Sequence, residues 1–251
     1  MTLIVDEVML REPNLLVPGK KPVGNVKIDW SNPLADKLVS FVMCESGLDL
    51  VSSVLGTRNG TITPSIIGTN RASTFASNGD KWSFAHTDRT DLTDAMTMIC
   101  DVEIATGTTS GRYVSKASND ATAVPYRMSF FPSPYNGMYF VRAGVGGKYG
   151  AWAPDSKIIA AGESGIIGVS TDGTTWTEPS FYGSGVYTGG TRYFSGADNP
   201  VTSASQPLEI GQWESISGSI KIGFVALWSR RFDKADFDAF YADPYQVLIP
   251  A

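Results

Sequence analysis

Two carboxylates on one predicted strand have a spacing that could support catalysis. Asp101 and Glu103 are two residues apart, and alternate residues of a strand place their side chains on the same face. This brings the carboxyl groups to about the 5–5.5 Å separation that retaining glycoside hydrolysis requires. The alternative is that both acids belong to a solvated strand face, the commoner role of such residues. The pair alone does not predict an enzyme.

Other catalytic and metal-binding patterns are missing from the sequence. The only histidine is His86, so motifs with two histidines are excluded, and a Ser-His-Asp triad would have to use His86 in a polar loop. No Gly-x-Ser-x-Gly elbow and no phosphate-binding loop occur. The glycine-rich stretch 144–148 lacks dinucleotide-binding spacing and is not followed by a predicted helix.

The two cysteines, Cys44 and Cys100, could form at most one disulfide. Their separation does not match a short disulfide framework. We expect two buried free thiols, which pack as small apolar side chains.

Several aromatic residues fall in glycine-rich or polar stretches, where a ring could face solvent and stack on a sugar. The candidates for ligand binding are Trp152, Trp176 and Tyr187, with loop packing as the alternative role of each. Other aromatic residues in similar surroundings are Tyr135, Tyr149 and Trp213.

Metal binding has weaker support. Oxygen ligands from Asp172, Asp198 or Asn199 would suit a structural calcium ion. The spaced acidic ladder of an EF-hand loop is absent, so no metal or other cofactor is predicted and structural calcium stays an alternative.

The pattern of apolar residues predicts short antiparallel strands joined by turns. In the longest predicted strand, 95–104, alternate residues from Met96 to Ile104 face the core and those from Thr97 to Glu103 face away. Asp172-Gly173 predicts a hairpin turn between strands 166–170 and 175–177. The other predicted strands are 38–44, 112–116, 126–131, 138–142, 157–161, 189–194, 207–211 and 220–228.

One amphipathic helix is predicted near the end of the sequence, over 233–243. Asp233 is a good N-cap, and Pro244 ends the segment. Phe237, Phe240 and Tyr241 have the spacing of one apolar stripe, which we expect to pack on a sheet.

Residues 1–27 are predicted to form an extended arm. Three prolines and two glycines lie between Leu10 and Gly24, and proline favours extended backbone. The apolar run 15–17 needs a surface to bury against, so the arm could fold back on its own domain or dock on a neighbouring subunit.

Composition limits the classes of function. The chain has 251 residues, with 20 Lys and Arg against 25 Asp and Glu, an acidic balance that argues against nucleic-acid binding. It has no apolar run long enough for a membrane span, and its first residues lack the features of a secretion signal. We expect no membrane insertion and no secretion.

Two segments at opposite ends of the sequence carry a family resemblance. The first begins Ile28-Asp29-Trp30-Ser31-Asn32-Pro33-Leu34 and continues to Val39. The second begins Leu208-Glu209-Ile210-Gly211 and continues from Gly218 through Val225-Ala226-Leu227-Trp228 to Leu248. They resemble the laminin-G-like, concanavalin A-like jelly roll found in structural proteins of tailed phages and prophages. The resemblance implies an all-β antiparallel sandwich over 28–251, preceded by the arm. It also implies that the first and last strands pair, with Trp30 and Trp228 in one core.

The resemblance leaves three functions open. The glycanases of this superfamily carry a glutamate two residues before the aspartate, where this sequence has Ile99, so the catalytic set is incomplete and we expect no enzyme. The leading hypothesis is a virion protein, assembled in the host cytoplasm as a capsid decoration or tail appendage, present in many copies or as a homo-oligomer, with the arm bound to other virion proteins. The alternative is a receptor-recognition protein that binds host-surface glycans.

Overall fold

The computed structural model describes residues 24–116, 126–143, 149–172, 178–195, 205–211 and 218–251. The predicted arm lies almost wholly outside these ranges. Within them are one α-helix, α1 (Lys234–Ala242), two short 3-10 helices (Pro33–Ala35 and Asp88–Thr90) and the following strands: β1 Val26–Ile28, β2 Leu38–Met43, β3 Leu48–Asp49, β4 Val54–Leu55, β5 Thr57–Asn59, β6 Thr63–Ile67, β7 Asn70–Phe75, β8 Lys81–Phe84, β9 Met96–Ile104, β10 Gly111–Lys116, β11 Tyr126–Phe130, β12 Tyr139–Ala143, β13 Tyr149–Pro154, β14 Ser164–Thr171, β15 Ser180–Gly183, β16 Val186–Thr188, β17 Gly190–Ser195, β18 Leu208–Gly211, β19 Ile220–Trp228 and β20 Leu248–Pro250.

The strands form two antiparallel sheets and one two-stranded ladder. One sheet has eight strands in the order β17-β13-β12-β11-β10-β18-β8-β5. The other has ten, with β16-β15-β14-β9-β19-β2-β3-β4 in sequence and the β6–β7 hairpin joined to β19. Non-consecutive neighbours are frequent in both sheets, which is the connectivity of a jelly roll. The all-β antiparallel sandwich with one helix is therefore confirmed.

The alternation predicted for the longest strand is confirmed in β9. Met98, Cys100 and Val102 belong to the core between the sheets, whereas Ile99 belongs to a second core on the outer face of the ten-stranded sheet. A strand with apolar residues on both faces is covered on both sides. Helix α1 and the residues after it supply the outer cover.

Helix α1 begins with a capping box. The Asp233 side chain accepts a hydrogen bond from Asp236 N at 2.9 Å, and Asp233 N donates to Asp236 Oδ2 at 3.3 Å. These bonds satisfy backbone donors that have no partner inside the helix. Phe237 and Phe240 are buried, whereas Tyr241 is 38% exposed. The predicted helix is confirmed, and two of the three aromatic residues in its stripe pack inward.

The first and last strands pair, as the resemblance implies. β1 lies antiparallel to β20, with Val26 opposite Pro250, and β2 lies beside β19. Trp228 is fully buried in the second core, and its Nε1 donates to Leu34 O at 2.7 Å. Trp30, in contrast, is 60% exposed, so its predicted place in that core is wrong. β1 includes two residues that the sequence assigned to the arm.

One predicted strand does not form in the structure. Residues 157–161 form no strand, because Ile158 and Ile159 are both buried and Ile158 N donates to the Asn136 carbonyl in a loop. β14 lies between β9 and β15, and the strand that follows it in sequence and pairs with it is β15, where Ser180 lies opposite Ser170. The predicted second strand of the hairpin, 175–177, lies wholly outside the described residues.

Both cysteines are free and buried, which confirms the prediction for Cys44 and Cys100. Burial raises the pKa of the Cys100 thiol well above its ordinary value. Within the described ranges, no helix has the length and apolar character to cross a membrane.

Candidate binding site

The outer face of the ten-stranded sheet carries charged residues on two neighbouring strands. In the ladder between β9 and β19, Glu103 lies opposite Lys221, and their side chains form an ion pair at 2.6 Å. Asp101 is the next outward residue of β9 and lies opposite Ile166 of β14. The two carboxylates singled out in the sequence therefore share a face, as predicted.

Their surroundings differ, however. Asp101 is only 6% exposed, whereas the Glu103 side chain is 31% exposed. The Asp101 carboxylate lies over Gly223 of β19, where an added Cβ would collide with it. The predicted solvated strand face is thus wrong for Asp101, because the segment after α1 folds over this part of β9.

A pocket of about 480 Å³ opens above Asp101. We call it the Asp101 pocket. Three pieces of chain form its walls: the turn between β6 and β7, the start of β14, and the end of α1 with the residues that follow. The side chains that give it hydrogen-bonding and aromatic character belong to Thr69, Asn70, Asp101, Ser164, Tyr241 and Tyr245.

The two tyrosines in this pocket have different roles. Tyr245 is 3% exposed, and burial, followed by the charges of Asp101 and Glu45, raises its pKa. Tyr241 keeps 38% of its surface exposed and packs edge-on against Tyr182, with ring centroids 5.5 Å apart. The Tyr241 ring is therefore partly exposed, and its contact with Tyr182 fixes its orientation.

A second pocket of about 830 Å³ lies on the other side of the β6–β7 hairpin. We call it the hairpin pocket. Its lining includes Glu45, Arg71 and Lys221 together with Ile66, which is 59% exposed. Lys221 Nζ also donates to Ile66 O at 3.3 Å. This pocket is larger and more charged than the Asp101 pocket.

Of the three aromatic residues proposed from sequence, the two that the structure describes, Trp152 and Tyr187, line neither pocket. Trp152 is on β13 rather than in a loop and is 1% exposed. Phe140 lies 6.0 Å from its ring and Arg192 lies over it, so the ring offers no surface to a sugar. Tyr187 is half-buried against the second core, 6.1 Å from Phe237. Trp176 is outside the described residues.

A cluster of four aromatic rings lies on the outer face of the eight-stranded sheet. Tyr135, the one member noted in the sequence, packs 5.0 Å from Tyr139 and 4.9 Å from Tyr193. Phe131 completes the group. Tyr193 is 40% exposed, and its hydroxyl donates to Pro134 O at 3.3 Å.

The single histidine belongs to a polar network at one end of the sandwich. His86, Asp88 and Asp91 place ligand atoms within 4.8 Å of one another, the separation expected of a metal site. The ammonium of Lys116, whose side chain is fully buried, already occupies this network. It donates to His86 Nδ1 at 2.9 Å, to Thr90 Oγ1 at 3.1 Å and to Asp91 Oδ1. Its three protons thus have three acceptors.

A second buried cation lies two strands from Lys116. Arg142 of β12 is 4% exposed, and its Nη2 donates to Leu92 O at 2.9 Å and Asp94 O at 2.6 Å. Burial lowers the pKa of its guanidinium to about 10. The hydrogen bonds of Lys116 and Arg142 therefore hold the 90–94 loop against the end of the sandwich.

Of the residues suggested for calcium, only Asp172 lies in the described part of the chain. Asp172 forms an ion pair with Arg231, and Asp198 and Asn199 lie outside the described residues.

Most of the Asp101 pocket was not recognised from sequence. Asn70 and Thr69 come from a hairpin that was not predicted, and Tyr241 was interpreted as packing only. The available signal was the position of Asp101 on the outward face of the longest strand, combined with a C-terminal aromatic helix that had to cover some sheet.

Comparison with known proteins identifies solved structures that share the fold of this chain. No protein-family model matches the chain, and no curated protein matches it. The binding domain of botulinum neurotoxin serotype D has a TM-score of 0.63 at 11% identity, with 84% of this chain and 52% of that structure aligned. The receptor-binding domain of the C/D mosaic serotype gives 0.62 at 10% identity, covering 82% and 51%.

A third solved structure is the serotype D ligand-binding domain in complex with N-acetylneuraminic acid, with a TM-score of 0.62, 11% identity and coverage of 82% and 50%. The chain therefore spans about half the length of these neighbours, so the ligand in that name belongs to the larger protein. The chain shares its β-sandwich fold with receptor-binding domains of botulinum neurotoxins.

Proposed function

We propose that this chain is a non-enzymatic carbohydrate-binding domain and that the Asp101 pocket receives the sugar. One observation carries the proposal: a carboxylate, an amide and a partly exposed tyrosine ring, from Asp101, Asn70 and Tyr241, converge on a pocket of about 480 Å³. Sugar rings stack their C–H faces on aromatic rings, while their hydroxyls bond to a few placed polar groups.

The surroundings of the two carboxylates favour binding over hydrolysis. A retaining glycosidase needs one carboxyl group as nucleophile and a second as acid. Glu103 is in an ion pair with Lys221, and it does not line the pocket with Asp101. Ile99, at the position of the leading glutamate of the glycanases, is buried in the second core.

The structural neighbours support the same class of function. One is named as a receptor-binding domain, and another is named as a ligand-binding domain in complex with N-acetylneuraminic acid. Receptor recognition through a glycan was the alternative hypothesis from the sequence, and we propose the Asp101 pocket as its binding site.

A glycan array probed with three proteins tests the proposal. Wild type should bind a defined set of glycans. Tyr241→Ala should reduce binding by up to about tenfold, because an aromatic stacking contact contributes about 0.5–1.5 kcal/mol. Tyr193→Ala is the matched control, since it removes an equally exposed tyrosine from the other sheet.

Tyr241→Phe keeps the ring and should retain most of the binding. Silence of wild type across neutral and acidic glycans would overturn the proposal. Equal binding by Tyr241→Ala and wild type would show that the glycan binds somewhere other than the Asp101 pocket.

We also propose that the domain is displayed on a phage particle through the segment that precedes it. The resemblance of residues 28–39, 208–211 and 218–248 to phage structural proteins supports this. Ala251 N donates to Asn25 O at 3.0 Å, so residue 25 lies beside the C-terminal strand.

Removal of residues 1–23 tests this second proposal and leaves β1 intact. The shortened protein should keep its circular dichroism spectrum and glycan binding but should no longer sediment with particles. Full-length protein that fails to join particles of its own phage would overturn it.

A further inference from the structure

The Asp101 pocket and the hairpin pocket share one wall, which is the β6–β7 hairpin. On β6, Ile66 lines the hairpin pocket and its neighbour Ile67 lines the Asp101 pocket. On β7, Arg71 and Asn70 divide in the same way. Since successive side chains of a strand point to opposite sides, the hairpin forms a partition with one pocket on each side of it.

The two pockets also open on the same face of the ten-stranded sheet. Lys221, which lines the hairpin pocket, lies opposite Glu103 in the β9–β19 ladder. Asp101, which lines the other pocket, is two residues before Glu103 on β9, or about 7 Å along the strand. One ligand of moderate length can therefore reach both pockets.

The partition has a fixed position and an open tip. Lys221 Nζ donates to Ile66 O at 3.3 Å, which holds β6 against β19. The turn that joins β6 to β7 consists of Gly68 and Thr69. A Cβ added to Gly68 would meet no atom within 4 Å, so no described part of the chain covers the tip. A ligand can pass over the hairpin at this point.

Each pocket has the size and the surface to hold a sugar. Their volumes of about 480 and 830 Å³ both lie in the range of about 300–1,000 Å³ that is usual for small-ligand sites. Tyr241 offers an aromatic ring in the Asp101 pocket. Ile66, which is 59% exposed, and Pro64 offer apolar surface in the hairpin pocket, against which the C–H face of a sugar can pack.

We infer that the ligand is an oligosaccharide that crosses the β6–β7 hairpin, with one sugar beside Tyr241 and another beside Ile66. The inference rests on the proposed function and names its ligand class, a chain of several sugars rather than a single terminal sugar. The glycosidic bonds make the second contact intramolecular, so it adds affinity without the full entropic cost of a second association. Affinity should therefore rise with chain length until both pockets are filled and then stay constant.

A series of oligosaccharides of increasing length tests this inference. Fragments of one to six sugars are prepared by partial hydrolysis of each glycan that wild type binds on the array, and the cello-, malto- and chito-oligosaccharide series are added. Isothermal titration calorimetry with the full chain measures the affinity for each member. Wild type should bind the best long member at least about tenfold more tightly than the single sugar.

Two variants assign this gain to the hairpin pocket. Ile66→Ala should lower the affinity for long members by up to about tenfold, toward that of the single sugar, because the second sugar loses apolar contact area. Leu55→Ala is the matched control, since Leu55 of β4 is 67% exposed and lines neither pocket. It should keep the whole gain with length.

The outcomes separate this inference from the proposed function. Equal affinity for single sugars and long members would overturn the inference and leave glycan binding in the Asp101 pocket standing. A gain with length that Ile66→Ala does not reduce would also overturn it, since the additional sugars would then lie outside the hairpin pocket. Failure of wild type to bind any glycan on the array or in the series would overturn the proposed function, and the inference with it.

Discussion

Replacement of Lys116 by methionine tests whether one buried ammonium holds the end of the sandwich together. Methionine has a similar length and volume, so the change opens little space. It removes three hydrogen bonds and leaves the Asp91 carboxylate, only 10% exposed, without its cation. Breaking a buried ion pair from one side costs about 3–5 kcal/mol.

That loss is a large share of the stability of a domain, which is about 5–15 kcal/mol in total. For a domain of this size each kcal/mol lowers Tm by about 2–4 °C, so we expect a decrease of about 6–20 °C. Differential scanning calorimetry measures it, with guanidinium unfolding as a second assay.

Two variants show whether the loss of stability in Lys116→Met comes from the Asp91 carboxylate that is left without a cation. The double variant Lys116→Met, Asp91→Asn removes both charges and should be more stable than the single variant by at least about 1 kcal/mol. Lys234→Met is the control, since Lys234 and Asp238 form an exposed pair on helix α1, and it should lower Tm far less than Lys116→Met does. A single variant that loses under about 1 kcal/mol, or a double variant that is less stable still, would refute the reasoning.

Three other perturbations have defined outcomes. Gly223→Ala should displace the Asp101 carboxylate, lowering both Tm and glycan affinity; unchanged binding would mean that the carboxylate position is unimportant. Asp233→Ala removes the capping box and should cost about 1 kcal/mol in a thermal melt, whereas no change would mean that tertiary packing alone holds the helix. Cys44 and Cys100 should react with a thiol reagent only in denaturant, because both are buried; rapid labelling of native protein would contradict their burial.

The pH dependence of stability offers a further test of Lys116. Burial, partly offset by the Asp91 charge, lowers the pKa of Lys116 below its ordinary 10.5. Between the folded and unfolded pKa values the unfolded chain binds more protons, so stability should rise with pH in that interval. The rise should be absent from Lys116→Met, and equal slopes for the two proteins would contradict this assignment.

Those features of the fold that are local in sequence were predictable. The period of two in β9 and the cap at Asp233 depend on neighbouring residues, so strand and helix follow from the pattern. β13 was missed because Gly150, Ala151 and Ala153 give it no alternation of large apolar and polar residues. Trp152 was therefore assigned to a loop.

The candidate site was harder to predict because it is assembled from distant segments. The residues around Asp101 in the sequence are those of a strand with one exposed face, so they predict an exposed side chain. Asp101 is buried because a segment more than 140 residues later, ending at Tyr245, covers it. Tyr241 is exposed in the same arrangement because Phe237 and Phe240 fill the space beneath the helix. Only the tertiary fold sets these exposures.

The pairing of β1 with β20 has a mechanical consequence. Val26 lies opposite Pro250 and Ile28 opposite Leu248, so residue 24 and the last residue are adjacent at the same end of an antiparallel ladder. Tension applied between these two points would peel the ladder one hydrogen bond at a time, and it would yield at low force. Tension between residue 24 and a ligand in the Asp101 pocket would instead pass from β1 into the body of the sandwich. The direction of pull would then decide how strongly the domain resists.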